Sequence, residues 1–268
     1  MDSNDRKYIE RSGAKGIYPL MYYSHNLHFV SYARMMQGKY DEALDYSKRL
    51  RKNVAGAIDD MPMLAPYGSF EWMVLTRFGK WNEMMAEPEP NDKSPVMHAY
   101  YRYARGLALA GLGRVSDAQA ESERLVALCA RIPESETLMI NNTRSVMAIG
   151  VAELEAKIAR ARRDADAEIA QLRKAVDLQD KLGYMEPPEW HYPLREALGG
   201  ALLRHGRAAE AEGVFRKDLE INPRNGRSLY GLLESLKAQG KSVGAEWVKR
   251  EFEEAWKHAA ARLAVATL

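Results

Sequence analysis

Apolar positions recur with helical spacing from Trp190 to Leu203, break at His205-Gly206-Arg207, and resume from Ala208 until Asn222-Pro223. A helical period interrupted by a short glycine turn predicts two helices folded back on each other as a hairpin. The next stretch repeats the pattern, with Leu229 and Leu232 in a first helix, Gly240 at the turn, and Ala245 and Phe252 in a second. Gly206 and Gly240 are 34 residues apart, as are Gly79 and Gly113. Gly38-Lys39-Tyr40-Asp41-Glu42-Ala43 marks a further turn, and a weaker one falls near Arg163-Asp164, followed by Ile169, Leu172, Ala175 and Val176.

Six hairpins therefore cover residues 23–260, with a lead-in segment at 1–22 and a tail at 261–268. Their spacing is uneven because proline- and glycine-bearing connectors at Asp59 to Pro66, Glu87 to Pro95 and Gly183 to Pro188 lengthen the links. Only Gly150 interrupts the stretch from Ser135 to Arg162, which predicts one long helix there. Another is predicted from Ser242 to Ala264, carrying Trp247, Phe252, Trp256 and Leu263 to cap the exposed end of the array.

Residue by residue, Trp190–Pro223 resembles the tetratricopeptide repeat consensus, with Leu198-Gly199 in the first helix, Gly206 at the turn, Ala211 and Phe215 on the second helix, and Pro223 closing the unit. The physical roles fit: Gly199 lets helices approach closely, Gly206 accepts a left-handed backbone, and Pro223 stops the helix. Glu168 departs from the pattern, standing where the family has alanine, which puts the packing of its unit in question. The resemblance implies an all-α fold, a right-handed α-α superhelix of about six irregular hairpins. Residues 16–44 and 184–241 further resemble the C-terminal half of longer bacterial tetratricopeptide proteins, a group with no settled activity. That likeness implies a bacterial source and a fragment or short relative of such proteins.

Composition changes little. Over 268 residues, 39 Lys and Arg face 37 Asp and Glu, a net charge of +2 that argues against a dedicated nucleic-acid binder. Cys129 is the only cysteine, so the chain has no internal disulfide, and a reducing compartment such as the cytoplasm is expected. The polar N-terminus lacks the apolar stretch of a secretory signal, and charges break every apolar run before the roughly 20 residues of a membrane span. Alternating charge from Lys157 to Lys174, where Arg160, Arg162, Arg163 and Arg173 interleave with Asp164, Asp166 and Glu168, reads as a salt-bridged solvent face.

Chemistry has few footholds. His25 and His28 share a helix face that Tyr32, Met35 and Met36 continue, a set of nitrogen and sulfur donors suited to a soft metal. Two histidines fall short of the four ligands of a closed site, so packing on the first helix is the leading reading and no cofactor is expected. Asn26 and His28 are expected to cap the first turn or to tie it to the preceding Tyr22-Tyr23 segment. Trp190-His191-Tyr192 opens a helix where a ligand could dock, but a stapled turn is the simpler reading. No Gly-rich phosphate loop, nucleophile-elbow serine, HExxH or CxxC motif is present, so no catalytic residue is nominated and an enzyme is not expected.

In the resembled family, the first helices of the hairpins line a concave groove. Carried onto this chain, the groove comprises His25, His28, Tyr32, Met36, Met73, Arg77, Tyr100 and Tyr103, then Glu153, Lys157, Arg160, Glu196, Arg204, Arg227, Tyr230 and Lys237. The expected function is a non-catalytic scaffold for another protein or an extended peptide, with an apolar end and an acidic end to match this gradient. A metal or small-ligand binder using His25 and His28 is the alternative, and an accessory subunit of an enzyme complex a second. Nucleic acid and membrane are not expected partners, and the sequence leaves the oligomeric state open.

Overall fold

A computed structural model describes residues 2–13 and 15–268, with backbone alone for Asp2, Ser3 and Arg6. Its regular structure among the described residues is helical. Helix α1 (Asp2–Ser12) leads through a π-helical turn, Tyr18–Tyr22, into the first hairpin, α2 (Tyr23–Met36) and α3 (Tyr40–Val54). Hairpins α4 (Ala65–Arg77) with α5 (Trp81–Ala86), and α6 (Pro95–Gly111) with α7 (Val115–Arg131), follow. The next are α8 (Thr143–Ala161) with α9 (Ala165–Gln179), α10 (Leu194–Arg204) with α11 (Ala208–Ile221), and α12 (Gly226–Ala238) with α13 (Ser242–Trp256).

Each hairpin turns in the same way. Gly38, Gly79, Gly113, Arg163, Gly206 and Gly240 all adopt a left-handed backbone, with φ between 63° and 77°. The next residue then returns its N–H five positions back, as in Lys39 to Arg34 (2.9 Å), Arg114 to Leu109 (2.8 Å) and Lys241 to Leu236 (3.0 Å). This is the Schellman closure, which satisfies carbonyls left open at a helix end. Arg163 adopts it without glycine's freedom, at φ 63°.

Neighbouring hairpins stack in chain order, α3 on α4, α7 on α8, α9 on α10 and α11 on α12. The architecture is that of a helical solenoid in two layers. First helices are covered on most sides, with α4 burying nearly all of its length, whereas α13 buries only Ala245. The layers meet closely where side chains are missing. A Cβ on Gly199 of α10 or Gly231 of α12 would collide with the Phe215 ring of α11, which sits fully buried between them.

Three expectations change. Residues 135–142 are irregular, because Asn142 caps α8 by accepting the Ser145 N–H at 3.1 Å and starts the helix there. Asn26 bonds not to Tyr22-Tyr23 but to Asp5 of α1 at 2.9 Å, which docks the lead-in segment on the first hairpin. The last helix ends at Trp256. Beyond it the chain leaves the helix, because the Trp256 indole N–H bonds the Ala261 carbonyl (2.8 Å) and the Gly38 carbonyl accepts the N–H groups of Ala260 (3.2 Å) and Ala261 (3.1 Å). The Trp256 ring packs against both Gly38 and Gly226, so the last hairpin meets the turn of the first.

Candidate functional site

The first helices face a common interior, and three carboxylates organise it. Glu196 of α10 is fully buried between Arg77 of α4 (2.5 Å) and Arg227 of α12 (3.0 Å), and accepts the Asn225 amide at 2.8 Å. Burial alone would raise its pKa, but the two guanidinium groups outweigh it and hold the carboxyl below its ordinary value. Glu153 of α8 accepts the Tyr103 hydroxyl at 2.7 Å and the Tyr192 hydroxyl. Burial, then the Glu153 charge, pushes both phenols up, so they keep their protons and donate. Glu168 of α9 is buried and held by Arg204 of α10 (2.6 Å) and His205 (2.9 Å). The irregularity noted in the sequence is thereby compensated by the following hairpin.

Across this interior runs the chain's own C-terminal stretch. Arg160 donates to the Ala266 carbonyl at 2.8 Å, Arg204 to those of Val265 (3.2 Å) and Leu268 (3.1 Å), and Arg227 to that of Thr267. Leu268 lies buried where a Cβ on Gly200 would stand. One arginine from each of three consecutive hairpins thus grips the short 3-10 turn Val265–Thr267 and the residue after it by the main chain.

The expected groove residues divide. Arg77, Lys157, Arg160, Arg204 and Arg227, with Glu153 and Glu196, line one cavity of about 570 Å³. Tyr32 lies near Glu196 and Arg77, and burial, then the Glu196 charge, pushes its pKa up to about 12. Lys157 and Arg160 therefore point inward, not to the solvated face the charge alternation suggested, although Arg173 does pair outside with Glu210 at 2.8 Å. Met73, Tyr100 and Tyr103 are packed in the core, at 2%, 3% and 1% exposure, and offer no open surface. The connector before α10 closes over them: Trp190 and His191 pack on Tyr103 at 5.2 and 6.0 Å, and Pro187, Pro188 and Glu189 share a recess with Met73 and Tyr100. Met36 is half-buried, Tyr230 packs on Phe252 at 5.5 Å, and Lys237 pairs with Glu234 at 2.8 Å; none of the three lines the cavity.

His25 and His28 meet Met73, Tyr100 and His191 around a small apolar recess of about 40 Å³. His28 is buried edge-on against Phe70 (4.3 Å) and Tyr67 (5.4 Å), and burial pulls its pKa down to about 3. His25 packs on Phe29 at 5.7 Å. Among the described residues no group of three or more His, Cys, Asp and Glu is arranged to hold a metal ion. Trp190 staples its turn inward, with its ring against Tyr103 (5.2 Å) and over Gly150, and Tyr192 lies under the Arg77 guanidinium at 4.5 Å.

No helix among the described residues is long and apolar enough to cross a membrane. No protein-family model matches the chain, and no curated protein matches it in sequence.

Proposed function

We propose that this chain is a tetratricopeptide-type scaffold, without chemistry of its own, that holds an extended peptide or a projecting strand of another protein along the face of its first helices. One observation carries the reading: residues 265–268, which include a 3-10 turn, lie against that face with their main-chain oxygens bound by Arg160, Arg204 and Arg227. Main-chain recognition tolerates many sequences, as expected of a groove that takes extended segments. In this reading the C-terminal stretch stands in for the partner and, being tethered, competes with it at high effective concentration.

The test is a chain shortened to residue 257 and a labelled synthetic peptide of residues 258–268, followed by fluorescence anisotropy. Saturable binding that weakens about tenfold or more in an Arg160→Ala, Arg204→Ala variant is expected, since each arginine contributes charge-assisted hydrogen bonds. Absence of binding by a shortened chain that keeps its helical circular dichroism would end the proposal.

A further inference from the structure

The C-terminal stretch does not fill the space it crosses. The remaining cavity of about 570 Å³ falls within the roughly 300–1,000 Å³ of small-molecule sites. Its helical wall presents five cationic side chains, Arg77, Lys157, Arg160, Arg204 and Arg227, against the carboxylates of Glu153, Glu168 and Glu196. Those carboxylates are already engaged. Glu196 serves Arg77 and Arg227, Glu168 serves Arg204 and His205, and Glu153 takes two tyrosine hydroxyls.

What is left over is positive. The Lys157 ammonium sits over the Trp81 ring at 5.0 Å and makes no ion pair among the described residues. Arg77, with 4% of its side chain exposed, leaves Nε and Nη2 without an acceptor, and Arg204 leaves Nε. Water can accept from such donors, but it does not neutralise charges removed from bulk solvent. Burial, then Arg160 and Arg204, pulls Lys157 down to about 8 despite the opposing charges of Glu153 and Glu168, the state of a cation short of an anion.

We propose that this cavity is a binding site for an oxyanion, a carboxylate or phosphate group received among Lys157, Arg77 and Arg204. Its proposed donors are helix side chains, with Ala261 to Leu263 and Ala266 to Leu268 closing the cavity, and the assignment does not depend on the peptide reading. A free small acid and an acidic side chain of a bound partner share this chemistry, and both approach the same donors.

The experiment uses the full chain with inorganic phosphate and with succinate, each against chloride at equal ionic strength, followed by thermal shift and isothermal titration calorimetry. Saturable stabilisation by either anion is expected, following ligand linkage to the folded state. Phosphate alone would identify a phosphate site, and succinate a carboxylate site. Lys157→Gln should weaken the affinity by about tenfold or more, and Lys157→Arg should retain it. Arg207→Gln, which alters only an exposed pair with Glu210, should leave it unchanged. A readout independent of variants is pH: succinate affinity should fall as pH rises through about 8, where Lys157 loses its proton. Stabilisation no greater than chloride's, or affinity unaffected by both Lys157→Gln and pH, would overturn the assignment.

Discussion

Replacing Glu196 with glutamine keeps the side-chain shape and removes one charge from a fully buried position. Arg77 and Arg227 have 4% and 11% of their side chains exposed, and Glu196 separates them at 2.5 and 3.0 Å. At the effective dielectric of protein sites, each such pair attracts by several kcal/mol, offset in the folded protein by the cost of desolvating all three groups. Taking the anion away leaves that cost in place and adds repulsion between two guanidinium groups. Glu196→Gln is therefore expected to destabilise the fold by about 3–5 kcal/mol, read as a lower urea midpoint at unchanged slope by circular dichroism at pH 7. Removing the stranded cation as well, in Arg77→Met with Glu196→Gln, should recover part of the loss. The sign with pH follows from the depressed pKa: the contribution is present above the ordinary 4.5 and fades as acid protonates Glu196 below it. A loss under about 1 kcal/mol, the value of an exposed ion pair, would refute a buried, strongly coupled triad joining the second, fifth and sixth hairpins.

Two further outcomes test other parts of the fold. Gly199→Ala and Gly231→Ala each drive a methyl into the Phe215 ring and should cost about 1–3 kcal/mol by overpacking, whereas Gly213→Ala, in open space on α11, should stabilise by about 0.5–1 kcal/mol; urea midpoints of the three variants decide it. His28 binds a proton near 6.5 when unfolded but only near 3 when folded, so stability should fall as pH drops below 6.5, by up to about 1.4 kcal/mol per unit. His28→Phe should flatten that slope by one proton in urea titrations between pH 7 and pH 5, and an unchanged slope would contradict its burial as a neutral ring.

The turns were legible because each depends on a local device, a left-handed residue after an amphipathic helix, that leaves its mark within a few positions. Gly199 was likewise readable as a point of close approach, and Glu168 as a misfit, but the sequence did not show that Arg204 and His205 resolve it from the next hairpin. The groove was half legible. Arg77, Lys157, Arg160, Arg204 and Arg227 were reached by carrying over the geometry of the resembled family, since the charges around Lys157 and Arg160 by themselves suggested a solvent face, whereas Met73, Tyr100 and Tyr103 look the same whether they line a groove or a core. Least legible was the C-terminal stretch. Ala259-Ala260-Ala261 has the strongest helix propensity available, yet the carbonyl of Gly38, over two hundred positions away, takes two of its N–H groups. Propensity is a local preference, and here a distant contact overrides it.

The meeting of Trp256, Ala260 and Ala261 with Gly38 alters how the array can come apart. An open solenoid behaves as a one-dimensional chain of units in which melting starts at a free end and travels inward. Here the first and last units hold each other, so neither end can fray without breaking contacts at the other, and the weakest hairpin is supported from both sides. Loss of structure becomes an event of the whole array, and the contact that closes it, spanning over two hundred positions, carries a loop entropy that slows folding.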